Sequence, residues 1–138
     1  MKIKEITQFL EGIAPLNYQE SYDNSGLIVG NENREVTSVL ICLDSVEQVI
    51  DEAIENGCNL VIAHHPIVFS GLKKLNGKNH IECTIIKAIK NDIAIYAIHT
   101  NLDNIKGGVN SKIADILELE NQKILAPKQD LLRKLEVF

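Results

Sequence analysis

Short runs of apolar, β-branched residues alternate along this chain with segments whose apolar residues recur at helical spacing. The pattern predicts central strands and flanking helices at the following positions: strands over Val36–Leu43, Leu60–Ala63 and Ile93–Ile98, and helices over Ile3–Ala14, Ser45–Asn56 and Ile81–Lys90. Such alternation indicates an α/β fold with a mostly parallel central sheet flanked by helices. Because Val36–Leu43 is almost wholly apolar at its end, we expect that strand to be covered on both faces.

Several weaker signals complete this prediction. Gly26–Gly30 is a short apolar run between glycines and is expected to be a strand, and Val109–Leu117 is expected to be a helix. Ser45 and Gln48 have the spacing of a capping box at the start of the second helix. The segment Leu119–Phe138 contains short strand-like pieces but no strong signal.

Composition and charge exclude several classes of protein. The chain has 138 residues, of which 45% are hydrophobic, which suits one domain with a real core rather than a disordered chain. A net charge of −5 and an aromatic content of 4% argue against nucleic-acid binding. No apolar run approaches the ~20 residues that a membrane span needs, and the first residues do not resemble a signal peptide. We therefore expect a cytoplasmic protein that makes no membrane contact.

The three cysteines, Cys42, Cys58 and Cys83, have spacings that match no zinc-finger or CxxC pattern. We interpret them as reduced structural thiols in a cytosolic protein. Thiolate ligation of a metal, and hence a structural zinc site, is disfavoured.

Polar residues follow the apolar strands at the points where the strands end. Asp44 follows the first central strand, His64 and His65 follow the second, and His99 follows the third, with Asp103 four positions later. Ligands of open α/β sheets bind beyond the carboxyl ends of the strands, so these side chains are expected to converge in one cleft. This set contains three of the four histidines of the chain.

Imidazole and carboxylate groups in this arrangement suit a metal site. Adjacent residues of a strand point to opposite sides, so His64 and His65 are better suited to two neighbouring ions than to one. Pro66 restricts the conformation of His65, and Asp103 adds an anionic oxygen. The donor types suit zinc, iron, manganese, cobalt or nickel.

Ordinary structural interpretations remain open for each of these residues. His64 and His65 could be a solvent-facing pair, and the segment that begins at His99 could be a plain loop. Asp44 is interpreted first as a helix cap, and the alternative is a place beside the metal site. His80 is expected in an exposed loop. The segments 23–26 and 107–108 are interpreted as turns without chemistry, although glycines before a helix can bind an anion.

Three sequence blocks resemble one protein family. They are YDNSGLIVG, CLDSVEQVIDEAIENGCNLVIAHHPIVFSGLKKL and IHTNLD followed by KGGVN, in this order and spacing. They resemble the N-terminal half of the Nif-three-like proteins, which contain a dinuclear metal centre and are often labelled GTP cyclohydrolase I type 2 homologues. The resemblance runs from about Lys2 to Leu117. It implies metal ligands at His64, His65 and Asp103, with His99 lining the cleft and Asp44 nearby.

The chain departs from that family pattern at its end. The family completes its metal pair with a C-terminal His-x-x-x-Glu, whereas this chain has no histidine after His99. We therefore expect residues 1–118 to form the N-terminal half of the metal-site domain and residues 119–138 to begin a truncated following segment. Two divalent ions would belong to the complete site, and this chain by itself is expected to bind at most one ion weakly and to be inactive.

The resemblance implies a metal-dependent hydrolase that acts on a nucleotide or a related cyclic amide or phosphoester. No phosphate-binding GxxxxGK[ST] motif is present, so the sequence itself selects no triphosphate. The alternative is a non-catalytic, metal-binding scaffold or regulatory protein. The resemblance also implies that the full-length protein assembles as a homo-oligomer, a hexamer.

Overall fold

A four-stranded, mostly parallel sheet forms the centre of the molecule. The computed structural model describes residues 1–127. The sheet has the strand order β1-β4-β3-β2. The strands are β1 (Gly26–Val29), β2 (Val39–Asp44), β3 (Leu60–His65) and β4 (Ala94–Ala97). Strands β2, β3 and β4 are parallel neighbours, whereas β1 is antiparallel to β4.

Helices connect the strands and lie on both faces of the sheet. They are α1 (Ile3–Ile13), α2 (Glu47–Glu55), α3 (His80–Lys90), the single turn α4 (Thr100–Asp103) and α5 (Val109–Ile116), with a 3-10 turn at Leu16–Tyr18. These elements confirm the predicted α/β class, and their bounds differ from the predicted ones by up to three residues. No helix within residues 1–127 has the length and apolar character needed to cross a membrane.

Two apolar clusters hold the layers together, one on each face of the sheet. On one face, Ile50 of α2 and Ile85 of α3 pack with Val61 of β3 in a buried cluster. On the other face, Ile3 of α1 packs against the fully buried Tyr96 of β4. Burial of this apolar surface is the main force that fixes the sheet between its helices.

Strand β2 corrects one prediction. We expected this strand to be covered on both faces, but Ile41 is 77% exposed and Leu43 is 60% exposed. Their neighbours Leu40 and Cys42 face the other way and pack partly against the α2–α3 cluster. The reason is position: β2 is an edge strand, and on this face Val39 packs against the cluster around α1, whereas Ile41 and Leu43 lie beyond it and stay exposed.

The start of α2 corrects a second prediction. The helix begins at Glu47 after an extended Val46 and has no side-chain cap, so the predicted capping box of Ser45 and Gln48 is wrong. Ser45 is instead buried, because the end of β2 carries it into the interior before the helix starts.

The end of the chain is only partly described. Residues 119–127 contain no helix or strand, so the strand-like pieces expected there are absent from the described part. The rest of the predicted strand-like segment, residues 128–138, lies outside the described residues, and the proposed division at residue 118 stays a prediction.

Candidate metal centre

His64 lies at the carboxyl end of β3 and is held by the neighbouring chain segment. Its Nδ1 is 2.9 Å from the carbonyl oxygen of Ile98, the residue that follows β4. A carbonyl oxygen only accepts, so Nδ1 must carry the proton and Nε2 must carry the free lone pair. A backbone contact therefore directs the basic nitrogen of His64 outward.

His65 is held by Asp44, its register partner across the parallel β2–β3 pair. The Nδ1 of His65 is 2.8 Å from Oδ1 of Asp44. A carboxylate that accepts the Nδ1 proton fixes the tautomer and leaves Nε2 basic, which is the usual environment of metal-binding histidine. Asp44 is thus the last residue of β2 and contacts the site, so its interpretation as a helix cap is wrong.

His99 is held by a carboxylate that is distant in sequence. Its Nδ1 is 2.8 Å from Oδ1 of Asp23, whose side chain is fully buried. The other oxygen of Asp23 accepts hydrogen bonds from the backbone N–H and the hydroxyl of Thr100. Burial alone would raise the pKa of Asp23, but the hydrogen bonds from His99, Thr100 and the backbone outweigh it and lower the pKa to about 2. Asp23 is therefore a fixed anion at the base of the site.

The three rings converge into one cluster. The ring centroids of His64 and His65 are 4.9 Å apart, and His99 lies 5.3 Å from the first and 5.5 Å from the second. One ligand nitrogen of each ring falls within 4.8 Å of the other two. The adjacent pair does not point to opposite sides as strand alternation suggested, because hydrogen bonds from the two Nδ1 atoms turn both rings toward the same end of the sheet.

Asp103 lies at the margin of this cluster. Its Oδ1 is 3.9 Å from Nε2 of His64, too far for a hydrogen bond. Two ligands at ~2.1 Å from one ion can lie up to about 4.2 Å apart, so these two atoms have a separation that one ion can bridge. The structure therefore brings all five expected side chains to one end of the sheet, and the metal roles of His64, His65 and Asp103 stay predictions.

Sequence reasoning missed Asp23. The segment 23–26 was interpreted as a turn without chemistry, yet Asp23 orients His99 at the site. A signal was available, because the residue lies in the first of the three blocks that carry the family resemblance.

Two other candidate features lie outside the cluster. His80 is exposed at the first turn of α3 and is not part of the cluster. The glycines before α5 form a turn: the backbone N–H of Gly107 donates to Ser111 Oγ, and a Cβ on Gly108 would lie 2.1 Å from the carbonyl oxygen of Leu102. Close packing therefore accounts for Gly108, and a positive φ of 84° accounts for Gly107.

The three cysteines are not part of the histidine cluster. All three are free thiols. Burial, with the nearby negative charges of Asp44 and Glu52, raises the pKa of Cys42 to about 11, so this thiol stays protonated at neutral pH. The interpretation of the cysteines as reduced structural residues agrees with these findings.

Two aromatic side chains border the histidine cluster. Phe69 follows the end of β3, and its ring centroid is 6.1 Å from that of His99 in an edge-to-face arrangement. Tyr22 lies next to Asp23 in sequence, and its ring is 6.2 Å from Phe69. Both rings are exposed.

Comparison with known proteins places this site in a family. Residues 1–137 match the family model described as Duf34/NIF3 (NGG1p interacting factor 3). A protein of Clostridium acetobutylicum named "GTP cyclohydrolase 1 type 2 homolog" is 38% identical over 97% of this chain and 50% of its own length. A Bacillus subtilis protein of the same name is 43% identical over 98% of this chain and 36% of its own length.

A solved structure shows the same fold. The crystal structure of a "Bacillus cereus protein related to NIF3" matches with a TM-score of 0.86 and 45% identity, over 93% of this chain and 35% of that one. The chain thus spans half or less of the length of these relatives. Because the family match covers nearly every residue and the fold agrees, this chain belongs to the DUF34/NIF3 family.

Proposed function

We propose that this chain supplies the N-terminal ligands of a divalent-metal hydrolase that acts on a nucleotide or a related cyclic amide or phosphoester. The observation that carries the proposal is the convergence of three imidazoles at the carboxyl end of the sheet, each with Nδ1 already hydrogen-bonded to an oxygen. That arrangement leaves the Nε2 atoms of the three rings free to bind, with the carboxylate of Asp103 3.9 Å from the Nε2 of His64.

The donor set fits a divalent transition metal. Imidazole with carboxylate suits zinc, iron, manganese, cobalt and nickel, whereas calcium and magnesium prefer oxygen ligands. One ligand nitrogen of each ring lies within 4.8 Å of the others, so the three rings could hold an ion. Two ions in the complete site are what the family resemblance implies. We propose His64, His65 and Asp103 as the principal ligands, with His99 as a further donor of the same cleft.

Within this site, other residues of the chain orient the histidine rings. Asp44 and Asp23 hold the rings of His65 and His99 through their Nδ1 atoms, so that Nε2 is the ring nitrogen available to an ion. Asp103 lies partly exposed at the cluster, where its carboxylate can ligate or accept a proton from a water. When bound, a divalent ion supplies Lewis-acid chemistry that activates water and polarises a substrate oxygen.

The nucleotide part of the proposal is supported by the names of the relatives. The Clostridium acetobutylicum and Bacillus subtilis proteins are both named as GTP cyclohydrolase 1 type 2 homologues. Because this chain spans at most half of their length, the substrate and the reaction of the whole protein are proposals.

We also propose that the chain assembles with copies of itself. Support comes from the C-terminal part of edge strand β2, where Ile41 and Leu43 expose apolar side chains on the same face. An exposed apolar edge strand is a surface that proteins usually cover by association. Sedimentation of the chain and of Ile41→Lys tests this proposal, with dissociation expected in the variant and an unassembled parent chain contradicting it.

The hydrolase proposal is tested in two stages. Calorimetric titration with Zn²⁺ or Mn²⁺ should show binding that His65→Ala weakens at least about tenfold and that His80→Ala leaves unchanged. The second stage uses a chimera in which residues 1–127 replace the matching part of the Bacillus subtilis relative. Metal-dependent hydrolysis of GTP that is lost on His65→Ala would support catalysis. Metal binding without turnover would favour a non-catalytic scaffold.

A further inference from the structure

We infer that Tyr22 and Phe69, an exposed aromatic pair beside His99, bind the planar aromatic or heteroaromatic ring of a small-molecule substrate at this site. The pair is called the aromatic rim below. The inference rests on the proposed function, because it assigns the ring-binding side of the same cleft. It adds two specificity-determining residues to a site so far defined only by its polar groups.

The rim adjoins the histidine cluster directly. The Phe69 ring is 6.1 Å from the His99 ring and inclined at 74°, and the Tyr22 ring is 6.2 Å from Phe69 at 35°. Aromatic partners pack with centroids 4.5–7 Å apart. A ring that packs on Phe69 would thus keep its substituents within a few ångströms of the histidines.

Hydrogen bonds hold the two loops of the rim together. The side-chain amide of Asn24, two positions after Tyr22, donates to the carbonyl oxygen of Val68, the residue before Phe69, at 2.7 Å. Asp23, between Tyr22 and Asn24, is bonded to His99. The aromatic rim is therefore connected to the histidine cluster through the backbone and is positioned before any ligand binds.

Both rings of the rim present aromatic surface to solvent. Tyr22 is 63% exposed and Phe69 is 50% exposed, in a chain with only three tyrosines and three phenylalanines. Tyr96 shows that the core can bury such a ring completely. Exposed aromatic surface next to a polar cluster is typical of a small-molecule site, where apolar walls hold a ligand and polar groups orient it.

Charge favours a small ligand over a nucleic acid. The chain carries a net charge of −5, and polyanion binding depends on many cationic contacts with phosphates. A single planar ring with one reactive group needs only the aromatic rim and the histidine cluster. Guanosine 5′-monophosphate is a suitable probe, because ribose 5-phosphate has the same sugar and phosphate without the ring.

The test measures binding of both probes to the Zn²⁺-loaded 138-residue chain by titration. Guanosine 5′-monophosphate should bind at least about tenfold more tightly than ribose 5-phosphate, and Tyr22→Leu and Phe69→Leu should each remove about five- to tenfold of that affinity, as expected for loss of one stacking partner. Affinities for ribose 5-phosphate and Zn²⁺ should stay unchanged. Ring-current shifts of the Tyr22 and Phe69 protons should accompany binding.

Phe9→Leu is the matched control, because Phe9 is also an exposed phenylalanine but lies on α1, in a surface cavity lined with Met1 and Ile6. It should leave both probes unaffected. Equal affinity for the two probes, or rim variants that bind guanosine 5′-monophosphate as the parent does, would overturn the inference. If the proposed function is wrong instead, the parent chain will not bind Zn²⁺.

Discussion

Asp23 and His99 are separated by 76 positions, yet Oδ1 of Asp23 and Nδ1 of His99 are 2.8 Å apart. The same carboxylate accepts hydrogen bonds from Thr100 at the start of α4. One buried anion thus fixes a loop before β1, the end of β4 and the orientation of a candidate ligand.

Replacement of Asp23 should therefore reduce stability. Asp23→Ala removes the acceptor of several hydrogen bonds and should lower the free energy of unfolding by about 1.5–3 kcal/mol, the range for bonds to a charged group. Urea denaturation measures this change. Asp51→Ala is the control, because the exposed Asp51 pairs with Lys87 at the surface, and loss of that pair should cost less than about 1 kcal/mol. Equal losses for the two variants would contradict the central position of Asp23.

Asp44 should affect metal affinity indirectly, because it positions the ring of His65 rather than binding the ion itself. Asp44→Ala frees the Nδ1 proton of His65 and removes the constraint on its ring, so affinity for Zn²⁺ should fall by about 10–100-fold. Calorimetric titration measures the change. An unchanged affinity would show that the hydrogen bond does not position the ring for metal binding.

Metal binding should depend on pH and remain limited in this chain. Imidazole ligands must be unprotonated, so affinity should weaken as the pH falls below roughly 6.5. We expect at most one weakly bound ion per chain, because two close cations repel strongly without a bridging carboxylate. Titration at two pH values with elemental analysis checks this. Two tightly bound ions would mean that a further carboxylate or a second subunit completes the site.

Glu82 should contribute acid-sensitive stability at the start of α3. Backbone N–H groups of Lys78 and Asn76 donate to its carboxylate and lower its pKa from the ordinary value of 4.5. Because the pKa is lower in the folded state, ionised Glu82 stabilises the fold above that value, and the effect is lost as the pH falls through the lowered pKa. Thermal unfolding should show Glu82→Gln less stable than the parent at neutral pH, with the difference closing in acid. A difference independent of pH would contradict this.

Cys42 should react slowly with thiol reagents at neutral pH. Burial and the charges of Asp44 and Glu52 keep it protonated, with a pKa of about 11, and only the thiolate is nucleophilic. Iodoacetamide labelling followed by mass spectrometry should find Cys83, which is also half-buried, modified before Cys42. Faster labelling of Cys42 would show that the strand edge opens in solution.

The sequence by itself determined the fold class and the place of the site. Periodicity located the helices and central strands, because apolar spacing reflects which face of each element is buried. Polar residues after successive parallel strands placed His64, His65 and His99 at one edge of the sheet, since parallel strands end on the same side. Local patterns were sufficient for these features.

Only the tertiary structure decided which groups hold the histidines and which surfaces remain open. The bond from Asp23 to His99 and the register that pairs Asp44 with His65 join distant segments, and no local periodicity encodes them. The exposure of Ile41 follows from the edge position of β2, although its sequence is that of a buried strand. Burial depends on strand order and on where neighbouring helices lie, and those are set by packing over the whole chain rather than by any one segment.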